Sequence, residues 1–96
     1  MTYKQLIESI EIFAKYNGGM EKDCLEMWAT NDEHGINLKQ TPSAEDLRKL
    51  ASFGWHLGCD DSYDEEDAEK WENYDSLTDD EIVALFKEYN GVYLYE

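Results

Sequence analysis

The chain is 96 residues long, 42% apolar and 14% aromatic, which is room for one small domain that hides only about 60–65% of its unfolded surface. Its 23 Asp and Glu stand against 8 Lys and Arg, a formal charge of −15. That balance excludes direct binding to a nucleic acid by phosphate neutralisation, which needs clustered Lys and Arg, and it disfavours docking on an anionic membrane surface.

No apolar run approaches the length of a transmembrane helix, and because Met1, Thr2, Tyr3 and Lys4 are not a charged region followed by a long apolar run, no signal peptide is expected. The expected compartment is the cytoplasm, where Cys24 and Cys59 stay reduced.

In chain order, the first predicted element is a helix over 3–16. Leu6, Ile7, Ile10, Phe13 and Ala14 recur at steps of three and four and make one apolar stripe. Thr2 and Gln5 have capping-box spacing, and Asn17-Gly18-Gly19 supplies a left-handed stop. Residues 24–30 then alternate, with Leu25, Met27 and Ala29 on one side and Glu26, Trp28 and Thr30 on the other. A five-residue turn, Asn31 to Gly35, and a return through Ile36 and Leu38 complete a hairpin near 24–38.

Thr41 at the cap and Pro42 at the first helical position predict a second helix over 42–53, buried through Leu47, Leu50 and Ala51. Trp55 to Leu57 reads as a short strand bounded by Gly58. Thr78 and Glu81 form another capping box, with Leu77 and Ile82 placed for a hydrophobic staple. They open a third helix over 79–89, stopped by Asn90-Gly91, and residues 92–95 alternate as a closing strand. The expected fold is a single α+β domain over 1–96, three helices with a small antiparallel sheet. Its expected core is Leu6, Ile10, Phe13, Leu25, Met27, Leu47, Leu50, Ile82, Leu85 and Phe86.

Charge is concentrated in the segment 60–81. Asp60, Asp61, Asp64, Glu65, Glu66, Asp67, Glu69, Glu72, Asp75, Asp79, Asp80 and Glu81 face a single base, Lys70, so these residues carry −11 of the −15. Tyr63, Trp71 and Tyr74 are interleaved with them, whereas solvated acidic tails are poor in aromatics. A net magnitude of about 2–8 is enough to keep a small domain soluble, and further like charge costs stability through self-repulsion. The surplus suggests a surface that imitates nucleic-acid phosphates. Asp60, Asp61, Asp64, Glu65, Glu66, Asp67, Glu69, Glu72 and Asp75 supply the charge, and Trp71 and Tyr74 the aromatic anchors. The plainer alternative is a solvated acidic face.

Other chemistries fit less well. An EF-hand loop begun at Asp60 puts Glu65 at the glycine position and Trp71 at the bidentate position; begun at Asp61, it puts Glu66 at the glycine position and Tyr63 at a ligand position. Cys24, His34, His56 and Cys59 are the zinc-type ligands, but the Cys24–His34 separation is not that of a standard knuckle. No metal or cofactor is expected. There is no nucleophile elbow and no glycine-rich phosphate loop, and paired carboxylates need a cleft to shift their pKa values, so no enzyme is expected.

Size, charge and the acid-plus-aromatic run Asp60–Glu81 resemble the small acidic anti-defence proteins of phages, the anti-CRISPR proteins in particular. The helix from Ser43 through Leu50, followed by Phe53-Gly54-Trp55-His56, resembles a helix-then-Gly-Trp pattern of small phage proteins. The resemblance implies stoichiometric binding to a basic nucleic-acid-handling effector, such as a CRISPR-Cas component, over its DNA-binding or PAM-reading surface. It carries over no catalytic residue. Thr78-Asp79-Asp80-Glu81 is similar in character to capped helices of colicin immunity proteins, which leaves a toxin-immunity protein that neutralises a basic nuclease as an alternative. A third reading is a non-inhibitory acidic assembly partner.

Overall fold

The last strand, β3 (Gly91–Leu94), lies at the centre of the sheet. In this computed structural model, which describes residues 1–21, 34–58 and 65–94, β3 pairs antiparallel with β1 (His34–Asn37) on one side and with β2 (His56–Leu57) on the other. Ile36 faces Val92 across the first pairing, and Leu57 faces Val92 across the second. All three side chains are buried, so the centre of the small sheet is also its driest point. His34 and Gly35, expected in a turn, are ladder residues opposite Leu94 and Tyr93. The expected strand 24–30, with Leu25 and Met27, lies outside the described residues, as do Cys24, Cys59 and Tyr95.

Four α-helices accompany the sheet among the described residues: α1 (Tyr3–Tyr16), α2 (Ala44–Phe53), α3 (Glu65–Glu72) and α4 (Asp79–Lys87). The α+β class stands, but the helix count of three does not, because α3 forms inside the acidic run. Both capping boxes form. The Thr2 hydroxyl accepts from the Gln5 amide at 3.1 Å and the Thr78 hydroxyl from the Glu81 amide at 3.2 Å, and each carboxamide or carboxylate reaches back to the cap amide.

The second helix starts later than its Thr-Pro signal implies. Ser43 is the cap, its hydroxyl accepting from the Asp46 amide at 3.3 Å. Its own N–H donates to the Tyr16 hydroxyl of α1 at 3.0 Å, which holds Ser43 in extended backbone as the last residue before the helix. Gly54 ends α2 at φ 104°, where a side chain would be strained.

Phe13, Leu47, Leu50, Trp55, Trp71, Ile82 and Phe86 form the heart of the core, with Ile12, Tyr16, Ile36, Leu38, Leu57, Leu85 and Val92 around them. Leu6 and Ile10 are not in it. They are 37% and 43% exposed, and α1 instead buries Ser9, Ile12, Phe13 and Tyr16. The reason is specific polar bonding that periodicity does not register. Phe13 meets Trp55 edge-on at 4.9 Å, and the Trp55 indole N–H donates to the Ser9 hydroxyl at 2.9 Å, which in turn donates to the Gln5 carbonyl at 2.8 Å. Turning α1 to bury Leu6 and Ile10 would break that chain and leave a buried indole N–H unpaired, at a cost of about 1–3 kcal/mol.

Candidate functional site: the acidic face of the third helix

Eight residues, Glu65 to Glu72, make α3, and five of them are acids. Glu65, Glu66 and Asp67 lie in its first turn, where the helix dipole favours negative charge, and Lys70 lies in its last turn, where the dipole favours positive charge. The helix has one buried residue. Trp71 is 2% exposed, packs in the core and donates its indole N–H to the Trp55 carbonyl at 2.7 Å. A second tie comes from Tyr89, just beyond α4, whose hydroxyl donates to Asp67 Oδ2 at 2.6 Å.

Beyond α3 the chain makes a single 3-10 turn, Tyr74–Ser76, and enters α4 at the Thr78 cap. Arg48 of α2 secures this junction, donating to the Leu77 carbonyl at 2.9 Å and to Asp79 Oδ1 at 2.5 Å. Asp79, Asp80 and Glu81 occupy the first turn of α4. The hydrogen bond from the Thr78 backbone N–H holds the Glu81 carboxyl below its ordinary pKa.

The residues expected to face a partner separate into three groups. Glu65, Glu66, Glu69, Glu72 and Asp75 are exposed. Asp67 and Tyr74 are half-buried, Asp67 bonded to Tyr89 and Tyr74 packed against the core. Trp71 is a core residue and not a surface anchor, because an exposed indole here would leave α3 with no buried residue at all. Asp60, Asp61 and Asp64 lie outside the described residues.

Between α3 and α4 runs a groove of about 240 Å³ lined by Asp67, Lys70, Leu77, Glu81, Ala84, Leu85 and Glu88. The lining combines three carboxylates and one ammonium with the apolar Leu77, Ala84 and Leu85, a mixture suited to a side chain with an aliphatic stem and a cationic head. Sequence reasoning missed Glu88 here, because it lies outside the acidic run and joins it only through the packing of α4 on α3.

A second charged cluster, also missed, joins α1 to α2. Asp46 Oδ2 accepts from the Tyr16 hydroxyl at 2.6 Å and from Lys15 Nζ at 3.2 Å. Burial disfavours the charged carboxylate, but the bonds from Tyr16 and Lys15 outweigh it and hold the Asp46 carboxyl below its usual pKa. Those partners are 30 and 31 residues away, and no local pattern announces them. This cluster is satisfied internally; its acid belongs to the scaffold.

Among the described residues there is no group of three or more His, Cys, Asp and Glu arranged to hold a metal, and no helix is long and apolar enough to cross a membrane. No family model matches this chain, and no curated protein or solved structure matches it either.

Proposed function

We propose that this protein is an acidic inhibitor that binds a basic nucleic-acid-binding effector, with the carboxylates of the 60–81 run standing in for phosphates, in the manner of an anti-CRISPR protein. It acts by occupying its partner, not by turnover, in the cytoplasm of the host cell. The observation that carries this reading is the density of charge on a docked helix. The four exposed acids over the eight residues of α3 amount to one per ~3 Å of axis, between the ~1.7 Å of a duplex and the ~3.4 Å of one strand. Because Trp71 is buried, those carboxylates project from an element already ordered, which limits the entropy lost on binding. The groove between α3 and α4 adds a place for a Lys or Arg of the partner.

The test begins with capture of the partner from a defence-competent host lysate, followed by association and dissociation rates at several ionic strengths. Wild-type affinity should fall steeply with salt, mainly through slower association. The variant Glu65→Gln, Glu66→Gln, Glu69→Gln, Glu72→Gln should bind more weakly, with a flatter salt slope. An unchanged slope after removal of four charges sinks the phosphate-mimic reading. Capture of a basic nuclease toxin would assign the protein to the immunity class.

A further inference from the structure

A surface of the opposite character lies on α1. Tyr3, Ile7 and Ile10 are 89%, 57% and 43% exposed, with Leu6 beside them. Together with Met1 they present on the order of 400 Å² of apolar surface, a size at which patches on small proteins are commonly functional. Tyr3, Ile7 and Ile10 also follow the four-then-three spacing of a coiled-coil seam, which ends there because the next position, Ala14, is buried. The buried face of α1 is a different one, formed by Ser9, Ile12, Phe13, Ala14 and Tyr16, so the stripe Tyr3, Ile7 and Ile10 is a second apolar face on one helix.

The charges beside the seam identify what fits it. Lys4 and Glu11 are exposed and seven residues apart, so they share one flank of the stripe. In an antiparallel pair of identical helices each flank meets its own counterpart, which sets Lys4 against the partner's Glu11 and Glu11 against the partner's Lys4. A parallel pair would set both against the Leu6 flank and gain neither ion pair. We propose that the exposed face of α1 is a two-fold dimer interface in which Tyr3, Ile7 and Ile10 pack antiparallel on a second copy of this chain, with Lys4 and Glu11 paired across it. With its flanks the face approaches the lower end of the ~600–1,000 Å² that each partner buries in a standard interface, and the dimer constant is expected on the order of 10 μM. The proposal stands independently of the acidic face, which lies on α3 and α4.

Sedimentation equilibrium of the full chain over about 1–500 μM, in about 0.3 M salt to screen the mutual repulsion of two acidic copies, tests it. The expected result is a monomer–dimer equilibrium. Ile7→Glu should abolish it with the circular dichroism and melting curve unchanged, since Ile7 is largely exposed. Lys4→Glu and Glu11→Lys should each weaken the dimer about tenfold, and the double swap should restore it to within about threefold. A monomer throughout the range overturns the proposal. So does a dimer indifferent to Ile7→Glu, or a double swap no better than its parents.

Discussion

α1 and α3 are both helices with one side on the core and one side in water, yet they are anchored and finished differently. Over 14 residues α1 buries Ser9, Ile12, Phe13, Ala14 and Tyr16, and three of its polar side chains, Ser9, Lys15 and Tyr16, bond to Trp55 or Asp46. Over 8 residues α3 buries Trp71 alone. The outward side of α1 is apolar and that of α3 is a row of carboxylates. A distributed anchor tolerates the loss of any one contact, whereas the charged face of α3 rests mainly on one indole, backed by the bond from Tyr89 to Asp67.

That difference is broken most directly at Trp71. Trp71→Ala should cost about 3–5 kcal/mol, read from the denaturant midpoint, through lost packing and the orphaned Trp55 carbonyl. Native-state hydrogen exchange should then show α3 losing protection before α1, while Trp71→Phe retains part of both. Equal loss in the two helices would mean that α3 has further support.

A smaller effect is expected at the polar anchor of α1. Asp46→Asn should cost about 1–3 kcal/mol at pH 7, because it removes a buried charged acceptor of Tyr16 and Lys15. The folded pKa of Asp46 is depressed, so its contribution is fully present above the unfolded value of about 3.9 and is lost as pH falls through the folded one. Melting curves of wild type and variant should therefore converge below about pH 4. A gap that persisted into strong acid would show that packing, not ionisation, sets the cost.

The smallest effect sharpens the account of α3 itself. Glu65 and Glu66 sit at the favourable end of the helix dipole and Glu72 at the unfavourable end. Glu72→Gln should raise Tm by about 1–2 °C, and Glu65→Gln should lower it by a similar amount. Two shifts of the same sign would mean that general like-charge repulsion dominates over helix position.

Local rules carried far along this chain. Thr2 with Gln5, Thr78 with Glu81 and the stop at Gly18 and Gly19 were legible because each involves neighbours within a few residues. The short strand at Leu57 and the closing strand after Asn90 were legible for the same reason, from their alternation and bounding glycines. The third helix was not, since Ala68 and Trp71 are its only apolar residues and two positions define no period. Of the expected site, the structure leaves the acids Glu65, Glu66, Glu69, Glu72 and Asp75 exposed and puts Trp71 in the core.

By itself the sequence determined the α+β class, the capped starts of α1 and α4, the buried roles of Phe13, Leu47, Leu50, Ile82, Leu85 and Phe86, and the concentration of negative charge in one run. These follow from hydrophobic period, cap chemistry and composition, all short-range properties. The tertiary structure alone decided which side of α1 is buried, that Ser43 and not Thr41 caps α2, that β3 is the central strand, and that Trp71 points inward. Each of those was settled by a partner distant in sequence: Trp55 for Ser9, Tyr16 for Ser43, Ile36 and Leu57 for Val92, and the Trp55 carbonyl for Trp71. A helix with two apolar faces, or an indole set among acids, has no local preference strong enough to choose its orientation. The hydrogen bonds and close contacts that choose it exist only once the distant segment has arrived.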